Sequence, residues 1–184
     1  MSDNSSPLVV FQRDLNLGSG DRTQAALIAR EALIASPELP ILVFDRTTGR
    51  AVDLDLRGSA EEVSARYAPE HAPARRGRPK LGVTAREVTL LPRHWDWLAA
   101  QPGGASAALR RLVEAARKAD EGQSGERMRR DAAYAFMSAM AGDRPGFEEA
   151  SRALFAGDLP RLANLIAGWP KDIAAEVRAM LAGD

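Results

Sequence analysis

The sequence contains no cysteine and only two histidines in 184 residues. Disulfides, zinc–thiolate sites, iron–sulfur clusters and thiol catalysis are therefore excluded. His71 lies in a proline- and glycine-rich stretch and His94 stands beside Trp95, neither at a metal-ligand spacing, and there is no HExxH. No GxSxG marks a serine nucleophile, and the glycines of "LGSGDRT" (17–23) lack the lysine of a phosphate-binding loop. No apolar run approaches the roughly eighteen residues a membrane helix needs. The start, "MSDNSSPLVV", has neither the basic residues nor the apolar core of a signal peptide. These absences predict a cytoplasmic protein that is not an enzyme, with no cofactor and no metal. The content that remains, 45% hydrophobic and 27% charged, is that of a folded globular chain.

Net charge is missing too, since 25 basic side chains balance 25 acidic ones. The balance is not local. Residues 1–70 hold 7 basic and 11 acidic side chains, residues 71–130 hold 13 and 6, and residues 131–184 hold 5 and 8. A net of +7 in the middle third thus lies between acidic ends. A local positive field attracts polyanions even when the whole chain is neutral.

The first third predicts a small α+β domain over residues 1–67. "PLVVF" is a strand, "NLGSGD" supplies turn residues, and "DRTQAALIAREALIAS" is a helix with Asp21 as N-cap and Leu27, Ile28 and Ile34 at helical spacing. "ILVFD" and "AVDLDL", joined by "RTTGR", read as a β-hairpin, and Ser59 with Glu62 forms a capping box for "SAEEVSARY". The expected order is β-α-β-β-α. Asp53 and Asp55 share one strand face, and their alternation with Val52, Leu54 and Leu56 reads as a solvated face rather than a cation site.

Residues 68–85 read as a basic Pro/Gly linker. "REVTLLP" then gives the one strand signal of the remaining chain, and a lone strand must find a pairing partner. Two helices follow, "PRHWDWLAAQ" opening on Pro92 and "SAALRRLVEAARK" capped by Ser106, with Leu109, Leu112, Val113 and Ala116 on one face. "ADEGQSGE" reads as a loop or a frayed helix end. Residues 127–184 carry short amphipathic helices with Gly/Pro turns, as in a helical bundle.

The stretch from Arg86 to Lys118, "REVTLLPRHWDWLAAQPGGASAALRRLVEAARK", resembles a ribbon-helix-helix unit. The resemblance covers about residues 86–120 and implies a homodimer, in which the Val88–Leu91 strands of two chains pair into an antiparallel ribbon. It also implies duplex DNA as partner, with alternate strand side chains entering a major groove and the amides at the start of the Ser106 helix holding a phosphate. With Val88 and Leu90 inward, the outward residues are Glu87, Thr89 and Leu91, a face without the usual basic or amide readers. Upstream, Arg76-Gly77-Arg78-Pro79 is similar to the core of an AT-hook, whose arginines lie in a narrow minor groove. The residues expected at nucleic acid are Arg75, Arg76, Arg78, Lys80, Arg86, Thr89, Ser106, Arg110 and Arg111. A protein–protein interaction or scaffold module is the alternative, with the lone strand joined to the N-terminal sheet and Trp95 and Trp97 in the core.

Three longer segments, "ILVFDRTTGRAVDLDLRGS", "RGRPKLGVTAREVTLLPRHWDWLAAQPGGASAALRRLVEAARK" and "RDAAYAFMSAMAGDRPGFEEASRALFAGDLPRLANLIAGWPKDI", together resemble a bacterial family of uncharacterised proteins, domain-of-unknown-function family 2239. That resemblance extends over nearly the whole chain. It implies that the segments belong to one protein and brings no activity or site with it.

Overall fold

The computed structural model describes residues 7–68, 86–120 and 122–182. The N-terminal elements are β1 (Leu8–Gln12), β2 (Leu15–Gly20), α1 (Arg22–Ala35), β3 (Ile41–Asp45) and α2 (Ala60–Tyr67). After them come α3 (Pro92–Ala99), α4 (Gly104–Asp120), α5 (Gln123–Ala141), α6 (Phe147–Ala156), α7 (Leu159–Leu165) and α8 (Lys171–Ala182). The fold is α+β, as expected.

One unit is formed by residues 7–68 together with 125–182. Its sheet is antiparallel with order β2-β1-β3. The central strand reads LVVFQ, and its first four residues are buried because both faces are covered. Side chains alternate across a strand. Leu8 and Val10 therefore meet Ala25 and Ala29 of α1, whereas Val9 and Phe11 meet the C-terminal helices. On that second side Phe11, Phe44 and Phe136 pack with ring centroids 5.0 to 6.5 Å apart. Residues 1–67 and 127–184, expected as separate domains, thus share a core around one sheet. Polar ties join them as well: Asn16 N donates to Asp172 at 3.0 Å, and Arg144 pairs with Asp14 at 2.6 Å.

Several local expectations need correction. The glycine-rich stretch read as a turn is β2, paired to β1 through a bulge at Val10/Phe11. Gly18 sits there at φ 148°, where a Cβ would come within 3.0 Å of Ile28 Cδ1. The strand is imposed by its neighbour and by the close approach of α1. In α1 the buried face is Ala25, Ala26 and Ala29, small residues that let the helix approach the sheet, and Ile34 is exposed. Both cap assignments hold: Asp21 and Ser59 each make a complete capping box, with Gln24 and Glu62.

"AVDLDL" is not a ladder strand. It touches β3 through one bridge, Phe44 to Ala51, and the order is therefore β-β-α-β-α. Val52, Leu54 and Leu56 still turn inward against the α1-side core. Side chains from α2 satisfy the backbone beyond: Asp55 N donates to the Tyr67 hydroxyl at 2.6 Å, and Arg66 donates to Asp55 O at 2.7 Å.

Residues 86–120 and 122–124 fall in a second unit. α3 opens at Pro92, whose missing N–H suits a first turn. α3 and α4 form a helical hairpin, with Gly103 and Gly104 at φ 82° and 73° turning the chain between them. Of the two readings of "ADEGQSGE", loop or helix end, the helical one fits better, since α4 runs to Asp120 and α5 starts at Gln123.

Candidate nucleic-acid interface

The second unit buries little of its own apolar surface. Among its described residues Leu98 and Ala108 are buried, where α3 and α4 touch. Val88, Leu91, Trp95, Trp97, Leu112 and Val113 are all exposed. Leu91, Trp95 and Leu98 follow one another at four and three residues and share a face, as do Leu109, Leu112, Val113 and Ala116 on α4. Two buried side chains are too small a core to hold a helix pair by itself.

Residues 86–91 form no strand, which corrects the ribbon expectation for the single chain. Leu91 is extended, at φ −67° and ψ 148°, as the N-cap residue of α3. A ladder needs a second strand, and among the described residues none pairs with this segment. Ser106 is not an N-cap either. α4 begins two residues earlier at Gly104, because two left-handed glycines end the turn there, and Ser106 lies in the first helical turn.

The expected contact residues divide into three groups. Arg75, Arg76, Arg78 and Lys80 lie outside the described residues. Arg86 and Thr89 are exposed on the extended segment before α3. Ser106, Arg110 and Arg111 come together at the start of α4: Arg110 Nε donates to Ser106 O at 3.1 Å, and Arg111 reaches back to Pro102 O at 3.0 Å. Both guanidinium groups are thereby drawn toward the helix N-terminus. In that first turn Gly104 N donates to Gln101 O at 2.9 Å. The next two amides, of residues 105 and 106, precede the first i→i−4 bond of the helix and so have no partner within it. Free amides, the positive end of the helix dipole and two arginines make this end electropositive.

One pair escaped the sequence reading. Arg93 and Trp97 are four residues apart on α3 and both exposed. The i, i+4 spacing was the available signal.

A family model described as "Uncharacterized protein conserved in bacteria (DUF2239)" matches residues 7–181. The chain belongs to this family. The match runs across both units, so the helical hairpin is part of the DUF2239 protein and not an appendage to it. No curated protein and no solved structure matches the chain. The described residues of this DUF2239 chain contain no group of acidic or histidine side chains placed to hold a metal, and no helix long and apolar enough to cross a membrane.

Proposed function

We propose that this protein is a DNA-binding regulator without catalytic activity, acting as a homodimer through residues 75–118. One observation carries the reading: of the two structural units, the smaller is net basic and the larger net acidic. Residues 71–124 hold 10 basic and 5 acidic side chains, whereas the rest of the chain holds 15 and 20. A net +5 on a small unit and −5 on the larger one concentrates attraction for a polyanion on the hairpin and the arm before it.

The division of labour follows from chemistry. Arg75, Arg76, Arg78 and Lys80 supply phosphate or minor-groove contacts from the arm. The start of α4, with Ser106, Arg110 and Arg111, holds a phosphate. The exposed apolar residues Val88, Leu91, Trp95, Leu112 and Val113 supply the dimer contact, and pairing of two 86–91 segments gives each a ladder. Thr89 then faces a groove.

Anisotropy of a labelled duplex with the full chain tests the reading. Wild type binds at low salt, and the combined Arg75→Ala, Arg76→Ala, Arg78→Ala and Lys80→Ala variant binds at least about tenfold more weakly. Equally poor binding by both sinks it. The exposed apolar set also favours a second reading, a protein-interaction module with no role at nucleic acid. Dimerisation without any DNA affinity would select that one.

A further inference from the structure

Covering the apolar face of the hairpin leaves one large side chain unaccounted for. A helix turns about 100° per residue. Leu91, Trp95 and Leu98 therefore stack on one side of α3, whereas Trp97 points about 100° or more away from it. Trp97 is 53% exposed, more than Trp95 at 40%, although both lie on a helix of eight residues. Its nearest companions around the helix are Arg93, one turn earlier, and His94, both exposed. Gln101 Nε2 donates to the Trp97 backbone carbonyl at 3.2 Å, at the end of the helix. Asp96 is the one acid of α3 and lies beyond Arg93 from Trp97; no ion pair joins it to Arg93 among the described residues.

We infer that Trp97 is a stacking platform for an unpaired nucleobase, with Arg93 on the adjoining phosphate. The inference rests on the proposed DNA binding and names the form of DNA preferred: single-stranded, or duplex containing unpaired bases. Its grounds are chemical. An indole offers a flat face that any base can cover, and a cation one turn away matches the backbone of the strand carrying that base. An intact duplex presents no free base face, so Trp97 gains little from it. The surrounding unit is net positive, which suits a nucleic acid better than a basic or neutral peptide.

The test uses the full chain, a labelled oligothymidylate and a labelled duplex of equal length. A Trp95→Phe background leaves Trp97 as the one accessible tryptophan, over a constant contribution from Trp169, which is buried with its indole N–H held by Pro145 O at 3.1 Å. Oligothymidylate should quench this emission, and Trp97→Ala should weaken oligothymidylate binding about tenfold. Trp97→Tyr, which keeps an aromatic face, should restore most of it, and duplex binding should change little in either variant. Unaltered oligothymidylate binding in Trp97→Ala overturns the inference, as does equal weakening on duplex and oligothymidylate. If the duplex binds through the arm and oligothymidylate does not bind, the inference fails and the DNA reading stands. If neither binds, both fail. Circular dichroism of each variant identifies any loss of fold.

Discussion

Glu176 of α8 is 2% exposed, and its carboxylate accepts two hydrogen bonds from Arg46, at 2.6 and 2.7 Å. The pair joins the turn after β3 to the last helix. Its hydrogen bonds to Glu176 raise the Arg46 guanidinium above its ordinary value, against the opposing effect of burial. Arg46 reaches solvent on one side, with 26% of its side chain exposed.

That asymmetry predicts unequal costs. Arg46→Ala leaves a carboxylate buried without a partner and should destabilise the fold by about 3 kcal/mol. Glu176→Gln keeps a hydrogen-bond acceptor and leaves the cation near water, so it should cost less than half as much. Urea midpoints with unchanged slopes measure both. Equal losses would show that Glu176 is not the residue paying the desolvation.

Gly49 and Gly157 form a second contrast. Both have positive φ, 68° and 73°. A Cβ at Gly49 collides with the Ala132 carbonyl oxygen, whereas at Gly157 nothing lies within 4 Å. Gly157→Ala should cost about 1 kcal/mol, the left-handed strain alone. Gly49→Ala must also move backbone, in a turn packed on α5, and should cost about 3 kcal/mol or more. Thermal unfolding of the two variants decides it.

Acid should weaken the segment around Asp55. Hydrogen bonds from the Arg57 side chain and backbone, and the charges of Arg57 and Arg66, hold its carboxyl well below the usual range. The folded value lies under the unfolded one. The stabilisation is therefore complete above about pH 4 and is lost as pH falls through the folded value. Asp55→Asn should flatten the acid limb of a urea-midpoint profile. An unchanged limb would place the sensitive carboxylate elsewhere.

The hairpin makes a prediction about association. Leu112 and Val113 are 49% and 55% exposed in the single chain, where substitution normally changes stability by no more than about 0.5 kcal/mol. If a second copy covers them, Leu112→Asp with Val113→Asp should convert a dimer to a monomer in sedimentation. A dimer unaffected by both changes would remove this face from the interface.

Local signals in the sequence carried far and non-local ones did not. The N-cap at Asp21 and the capping box at Ser59 were legible because cap and third residue are neighbours in the chain. β2 was not, since Asn, Gly and Ser favour turns and only pairing with β1 makes them a strand. The inward set Val52, Leu54 and Leu56 was visible in the alternation, but Tyr67 and Arg66 as partners of that backbone were not. For residues 86–91 the strand pattern was plain, and among the described residues no second strand pairs with them. Arg75, Arg76, Arg78 and Lys80, read as a basic arm, lie outside the described residues. Trp97 was set in a core by one reading, because nothing short of the helix phase separates it from Trp95.

The most direct measurement is the salt dependence of duplex binding by the full chain. Each phosphate neutralised contributes about −0.9 to the slope of log affinity against log salt. Four arm cations therefore predict a wild-type slope steeper by about 3 to 4 than that of the Arg75, Arg76, Arg78 and Lys80 all-alanine variant. Equal slopes, or no duplex binding at low salt, would contradict the account.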